Sequence, residues 1–183
     1  MIALLGVLGV IIFIVIDIIR NKSKNIIGRL LFYSFLIYMV KVFEVTTGNI
    51  HIFSRDRLGG TVYIQLIPFK FIADWYQLYV HRGADWFFWN SVRLSLYNVI
   101  LLLPLGIYLP VLFNVRNIKR VTIWVMLTSL TIEIYQAIFS YYGLVFMRTS
   151  NIDDIILNTL GGVIGFCFYK IALSKWVHKF IEG

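Results

Sequence analysis

The feature that most constrains this chain is a series of apolar runs, each about as long as a helix that crosses a lipid bilayer. A helix needs about 20 mostly apolar residues to cross about 30 Å of hydrocarbon. Five segments meet or approach that length: Ile2–Ile19, Leu30–Thr46, Val92–Phe113, Val121–Ser140 and Ile155–Leu173. Since 60% of the residues are hydrophobic and only 14% are charged, the chain cannot present an ordinary soluble surface. The sequence therefore predicts an all-α polytopic membrane bundle with about five transmembrane helices, in which residues 1–183 form one integral membrane domain.

Basic residues cluster in alternate connections between the predicted spans. Because Lys and Arg are enriched on the cytoplasmic side of membrane proteins, these clusters predict a multi-pass protein with its N-terminus outside and its C-terminus in the cytoplasm. The net charge of +8 then reflects topology, and no nucleic-acid partner is expected. The clusters comprise Arg20, Lys22, Lys24, Arg29, Arg116, Lys119, Arg120, Lys170, Lys175 and Lys179.

The connection between the second and third spans is too apolar for a free loop. Phe69, Ile72, Tyr76 and Tyr79 recur there at helical spacing. Aromatic side chains at this spacing suit a segment that lies at the level of the lipid headgroups. We therefore expect an outer interfacial aromatic segment; the alternative is that it roofs a site between the helices. Further aromatic residues nearby are Trp75, Trp86 and Trp89.

The fifth span carries a polar and small-residue stripe. Asp154, Asn158, Gly161 and Gly165 fall at i, i+4, i+7 and i+11, on one helix face. Polar groups are expelled from lipid and glycines permit close approach between helices. This face is therefore expected to point into the bundle, with the two glycines forming a GxxxG-type contact.

The fourth span contains a carboxylate inside an apolar run. Ser129, Glu133, Gln136 and Ser140 share one face of the predicted helix. A charged side chain inside a span costs about 2.5–3.5 kcal/mol on insertion scales and marks a functional site by default. Glu133 is therefore the most informative residue of the sequence.

Polar residues of four predicted helices fall at one level. With the orientation above, Asn98 lies about two turns inside the outer end of the third span and Asn158 about one turn below the outer start of the fifth. Unrelated structural groups would scatter through both leaflets. We therefore predict a polar pocket open to the outside or to the outer leaflet, without a metal or cofactor. The candidate ligand-binding residues are Lys41, Asn98, Glu133, Gln136, Arg148, Asp154 and Asn158.

Each of these groups also has a structural interpretation, in which ion pairs and helix caps use up the polar atoms. Asp153 is assigned such a role because a first-turn carboxylate is favoured by the helix dipole. Asp17, one turn before Arg20, is assigned one as well. The structural pairs would be Lys41 with Glu133 or Glu44 and Arg148 with Asp154, and the cap would be Ser150 or Asn151.

Three polar motifs follow one another in the second half of the chain: Asn98 with VILLLP after it, IEIYQ at Ile132–Gln136, and RTSNIDDIILNTLGG from Arg148 onward. In this order, and with LIPF at Leu66–Phe69 before them, they resemble the signature of the VanZ-like family over about residues 62–170. The resemblance implies a small polytopic bacterial membrane protein, in a family named for a member that confers teicoplanin resistance. The family's polar positions then correspond to Asn98, Glu133, Gln136, Arg148, Asp153, Asp154 and Asn158, whereas Gln65, Leu102 and Asn151 depart from the family pattern.

The leading hypothesis is a bacterial cell-envelope protein of the cytoplasmic membrane that lowers susceptibility to lipoglycopeptide antibiotics of the teicoplanin type. Its pocket would bind an amphiphile, namely the drug, a lipid-linked precursor or an envelope polymer, among the membrane lipids. The rival is an enzyme that modifies a lipid-linked cell-wall precursor, with Glu133 and Asp154 as an acid/base pair or cation ligands and Arg148 at a phosphate. A scaffold of an envelope complex is the third possibility. No nucleophile or metal motif such as HExxH supports the enzyme, and Cys167 is the only cysteine.

Overall fold

The apolar runs form long helices in the computed structural model, which describes residues 2–21, 26–48, 64–142, 144 and 150–173. Two extended segments of two residues each accompany them. In chain order the elements are α1 (Ile2–Asn21), α2 (Ile26–Thr47), β1 (Ile64–Gln65), α3 (Lys70–Arg82), α4 (Trp86–Leu112), α5 (Ile118–Tyr141), β2 (Ser150–Asn151) and α6 (Ile152–Phe168). A π-helical turn at Tyr169–Leu173 continues α6.

Four helices of the described residues are long and apolar enough to cross a membrane, namely α2, α4, α5 and α6 with its π-helical turn. α1 adds an apolar helix of 20 residues, which corresponds to a length of about 30 Å. The predicted all-α bundle is confirmed, and about five spans agree with these helices. The third span was predicted to begin at Val92, but α4 begins at Trp86 because the Asp85 carboxylate caps it, accepting a 3.0 Å hydrogen bond from the Phe88 amide.

Side-chain contacts fix the directions of the helices. Ser34 on α2 bonds to Tyr108 on α4 at 3.0 Å, and Tyr38 on α2 donates to the carbonyl of Leu101 at 2.8 Å. Later residues of α2 thus meet earlier residues of α4, so that these two helices are antiparallel. The same relation holds between α1 and α2 and between α5 and α6. The end of α1, the start of α2, the end of α4, the start of α5 and the end of α6 therefore lie at one end of the bundle, and the described basic residues found there are Arg20, Arg29, Arg116, Lys119, Arg120 and Lys170.

The tightest helix contact joins α4 and α6, which run parallel to each other. A Cβ atom at Gly161 would overlap the carbonyl oxygen of Val99, and one at Gly165 would overlap that of Leu103. Backbone therefore packs against backbone, as in other small-residue contacts between spans. The predicted contact of Gly161 and Gly165 is confirmed, and Gly106 on α4 makes a similar approach to α6.

α3 is a short helix that lies outside the bundle core. None of its residues is buried, and Ile72, Tyr76 and Tyr79 expose more than half of their surface. Exposed aromatic and aliphatic side chains on such a helix suit the membrane interface, as predicted. Before α3, the two residues of β1 pair in parallel with those of β2, which directly precede α6. The start of α3 is thereby held beside the start of α6.

Candidate ligand-binding site

Asn98 and Asp154 connect α4 to α6. The Asn98 side-chain amide donates a 2.7 Å hydrogen bond to Oδ1 of Asp154, and both side chains are partly buried. A bond to an ionised acceptor is short and about twice as strong as a neutral one. These two predicted site residues are thus brought together where α4 and α6 begin to pack.

One turn further along α6, Asn158 faces α5. Its Nδ2 donates a 2.9 Å hydrogen bond to Oγ of Ser129, and only 1% of Asn158 is exposed. Its Oδ1 has no hydrogen-bond partner among the described residues. If Oδ1 and Nδ2 of Asn158 exchanged places, the nitrogen would lack a hydrogen-bond partner instead, because Ser129 can either accept or donate. A buried polar atom of this site is therefore unsatisfied.

Glu133 lies one turn beyond Ser129 on α5 and is 3% exposed. Its Oε2 accepts a 2.8 Å hydrogen bond from the backbone amide of Asn151, the residue that caps α6. Asn151 in turn accepts a 2.9 Å bond from the amide of Asp153, so that it is the predicted helix cap. The carboxylate of one span thus holds the beginning of another.

Gln136 lies three residues after Glu133 on the same face of α5. Its Nε2 donates a 2.7 Å hydrogen bond to the carbonyl oxygen of Thr46 near the end of α2, and Gln136 is 6% exposed. The hydroxyl of Thr46 also bonds to that of Tyr135. The polar contacts therefore reach from α4 through α6 and α5 to α2. We refer to Asn98, Ser129, Glu133, Gln136, Asp154 and Asn158 as the polar cluster.

Asp153 contacts a different element from its neighbour Asp154. Its two carboxylate oxygens accept hydrogen bonds from the backbone amides of Phe69, at 2.6 Å, and Phe71, at 2.9 Å. Phe69 has φ of 61°, in the left-handed region that non-glycine residues seldom adopt. Asp153 thus satisfies amides at the start of α3 and holds Phe69 in that conformation. The contact is structural, as predicted, but it is made to the start of α3 and is not the predicted effect of the dipole of its own helix.

Lys41 does not lie among the polar cluster. Its side chain is 62% exposed and forms a 2.7 Å ion pair with Glu44, one of the two structural partners considered. The direction of the Lys41 side chain depends on the rotation of α2 about its axis, which its sequence does not fix because apolar residues occur on every side of this helix. Arg148 lies outside the described residues, and its predicted role stays a prediction.

Ser129 and Thr46 take part in these contacts, although neither was among the predicted site residues. Ser129 is fully buried and lies on the predicted polar face of α5, so its position on that face was the available signal. Thr46 accepts the bond from Gln136 through its backbone carbonyl, which any residue at that position would supply. Its role had no signal in the sequence.

The polar cluster combines two carboxylates with amide and hydroxyl groups. Such a set can accept hydrogen bonds from the hydroxyl, amide or ammonium groups of a ligand. Among the described residues, no group of three or more His, Cys, Asp or Glu side chains is placed to hold a metal ion. Hydrogen bonds and charge are therefore the interactions that these side chains can offer to a ligand.

Long apolar helices that enclose a polar cluster at one end define a multi-pass helical membrane protein. Within this class the chain belongs to the VanZ/LLP1 family, whose sequence model matches residues 2–173. The resemblance found in the motifs is thereby confirmed.

A curated relative from Enterococcus faecium, named Protein VanZ, is 35% identical to the chain over 93 residues. The alignment covers 51% of this chain and 54% of the relative, so the chain spans about half the length of that protein. No solved structure gives a significant match.

Proposed function

We propose that this protein lowers the susceptibility of bacteria to lipoglycopeptide antibiotics of the teicoplanin type by binding an amphiphile at the polar cluster. The amphiphile is the drug, a lipid-linked precursor or an envelope polymer. Membership of the VanZ/LLP1 family supports the envelope role, because the family is named for a member that confers teicoplanin resistance. The binding step is supported by the chemistry of the cluster.

The observation that carries the binding step is the unsatisfied Oδ1 of Asn158. A buried polar atom without a partner costs about 1–3 kcal/mol, and its presence calls for a ligand, an ion or water. The hydroxyl of Thr159, the next residue of α6, is also buried without a partner among the described residues. The same is true of the indole nitrogen of Trp75 on α3. These three atoms lie in the first halves of α3 and α6, at the end of the bundle where the ligand is proposed to bind.

The proposed orientation places this end of the bundle outside. The basic clusters lie at the opposite end, and basic connections are retained on the cytoplasmic side. Asn98 and Asp154 both lie in the first half of their helices, on the side away from those clusters. A ligand would therefore approach from the outer surface or the outer leaflet.

A cavity of about 510 Å³ lies between α3 and the start of α4, at the same end of the bundle as the polar cluster, and none of its lining residues belongs to that cluster. Ser91 in its wall precedes Asn98 by about two helical turns on α4. Mixed charges beside the exposed aromatic side chains of α3 suit the headgroup of an amphiphile whose tail lies in lipid. The lining comprises Asp74, Gln77, Leu78, His81, Arg82 and Ser91.

The test is protection of a teicoplanin-susceptible bacterium by plasmid-borne variants of this chain. Asn158→Leu removes the unsatisfied amide while keeping the branched shape of the side chain, and Glu133→Gln removes the charge while keeping an acceptor for Asn151. Both are expected to return susceptibility to that of cells without the protein, at unchanged membrane abundance. Glu44→Gln is the matched control, since Glu44 pairs with Lys41 on the exposed surface, and it should protect like the parent.

Full protection by both variants, at normal abundance, would overturn the role of the polar cluster. Protection against a glycopeptide without an acyl chain should be weaker, which tests whether the bound ligand is an amphiphile. Purified protein incubated with labelled lipid-linked cell-wall precursor tests the rival enzyme. If the parent turns over the precursor and Glu133→Gln does not, the enzyme hypothesis replaces the binding hypothesis.

A further inference from the structure

A second cavity opens at the other end of the bundle, where α1, α2 and the end of α4 meet. Its volume is about 460 Å³. It lies at the end with the basic connections and shares no residue with the polar cluster. Its walls include Phe13, Asp17, Arg29, Tyr33, Val111 and Phe113.

The polar wall of this cavity is an ion pair between two helices. Arg29 on α2 donates from Nε to Oδ2 of Asp17 on α1 at 2.7 Å, and the two side chains are only 17% and 19% exposed. Tyr33 bonds to both, accepting from Nη2 of Arg29 at 3.0 Å and contacting the Asp17 carboxylate. Charges withdrawn from water inside a membrane segment are costly and mark functional sites. The sequence neighbours of Asp17 did not indicate Arg29, which is 12 residues away.

The remaining walls are apolar and aromatic. Phe13 packs edge-on against Phe32 with ring centroids 6.1 Å apart, and Val111 and Phe113 close the side formed by α4. The cavity is thus amphipathic, with charges on one wall and hydrocarbon surface on the others. A membrane lipid has the matching distribution, with a charged headgroup joined to an acyl chain.

Basic residues outnumber acidic ones around this cavity. Within its lining Arg29 balances Asp17, and the exposed Arg20 and Arg116, which lie three residues from Asp17 and from Phe113, add positive charge at this end of the bundle. Basic residues at the cytoplasmic end of spans attract anionic lipids, and basic pockets between spans hold their headgroups. We propose that this cavity binds an anionic glycerophospholipid, whose phosphodiester lies at Arg29 and whose acyl chain lies along Phe13 and the end of α4.

Native mass spectrometry of the purified full-length chain in mild detergent tests this site. Phosphatidylglycerol and phosphatidylcholine with identical acyl chains are added in equal amounts, and bound lipid is counted. The parent is expected to retain phosphatidylglycerol about tenfold over phosphatidylcholine. Val111→Trp fills the cavity without touching the ion pair, and Asp17→Asn with Arg29→Gln removes both charges together, so that no unpaired charge remains buried. Each is expected to reduce that preference to about twofold or less.

Lys119→Gln is the matched control, because Lys119 is an exposed basic residue at the same end but outside the cavity. It should keep the preference of the parent. An unchanged preference in Val111→Trp, an equal loss in Lys119→Gln, or equal retention of the two lipids by the parent would each overturn the proposal. If Val111→Trp does not elute as a single species, Leu112→Trp fills the same cavity from the next residue. The measurement involves no antibiotic and no residue of the polar cluster, so its failure leaves the proposed function untouched.

Discussion

The Glu133 carboxylate on α5 accepts a 2.8 Å hydrogen bond from the backbone amide of Asn151, so that a buried acid of one span holds the residue that caps α6. A substitution can therefore remove the charge of Glu133 and still keep its hydrogen bond to Asn151. Glutamine keeps an acceptor at this position and should lower the free energy of unfolding by less than about 1 kcal/mol, whereas alanine leaves a buried amide unpaired and should cost about 1–3 kcal/mol. Reversible unfolding of the purified protein in mixed micelles measures both. Equal losses in the two variants would contradict this division.

The bond between Asn98 and Asp154 predicts an energetic coupling between α4 and α6. Asn98→Ala and Asp154→Ala are each expected to destabilise the bundle, and the double variant should lose less than the sum. The coupling should be about 1 kcal/mol, since hydrogen bonds between spans reach about 0.6–2 kcal/mol. Unfolding in mixed micelles measures the free energies of unfolding for this double-mutant cycle. Asn90→Ala paired with Asp154→Ala is the control, because the Asn90 side chain accepts from Arg93 on its own helix, and its coupling should be close to zero.

The glycine contact predicts a steep response to a single methyl group. Gly161→Ala and Gly165→Ala place a Cβ into carbonyl groups of α4 and should each lower the free energy of unfolding by about 1–3 kcal/mol, or more if the helices separate. Gly9→Ala is the matched control, because nothing lies within 4 Å of a Cβ there, and alanine favours a helix by about 0.5–1 kcal/mol over glycine. Thermal unfolding followed by size-exclusion chromatography ranks the three. Unimpaired Gly161→Ala would contradict the close packing.

Asp153 is predicted to stabilise α3 rather than its own helix. Asp153→Ala removes two acceptors from the start of α3, at a local cost of about 0.5–2 kcal/mol. Hydrogen exchange should accelerate in the amides of Lys70–Arg82 while those of α4 stay protected. Asp85→Ala is the complementary variant, since Asp85 caps α4, and should accelerate exchange around Phe88 instead. The same pattern in both variants would contradict the assignment.

The proposed orientation predicts which connections face outward. In a Cys167→Ser background, Ala84→Cys before α4 should react with a membrane-impermeant maleimide added to intact cells. Lys119→Cys at the start of α5 should react only after the membrane is permeabilised, because it lies at the end with the basic clusters. Gel-shift labelling reads out both positions in one experiment. Reversed labelling would place the polar cluster in the cytoplasmic leaflet.

The helices and their inward faces were predictable because each follows from a local pattern. Apolar runs of span length set the helices, and the face with Ser129, Glu133 and Gln136 is buried as its periodicity indicates. Close packing at Gly161 and Gly165 followed from the need of polar and small residues to avoid lipid.

The partners of the polar residues were not predictable, since they depend on contacts distant in sequence. Phe69 is 84 residues from Asp153, and no local pattern joins them. The parallel pairing of β1 with β2 is too short for an alternating pattern to show, with two residues on each side. The exposure of Lys41 depends on the rotation of α2, which a helix that is apolar all round does not reveal.

The carboxylate of Asp153 also imposes an order of events on synthesis. The ribosome makes the start of α3 long before it makes Asp153, and β2, the partner strand of β1, follows only just ahead of α6. Until then, the amides of Phe69 and Phe71 lack the acceptors they have in the finished protein. The beginning of α3 is therefore completed only when α6 has entered the membrane, and a chain truncated before α6 would leave it unanchored.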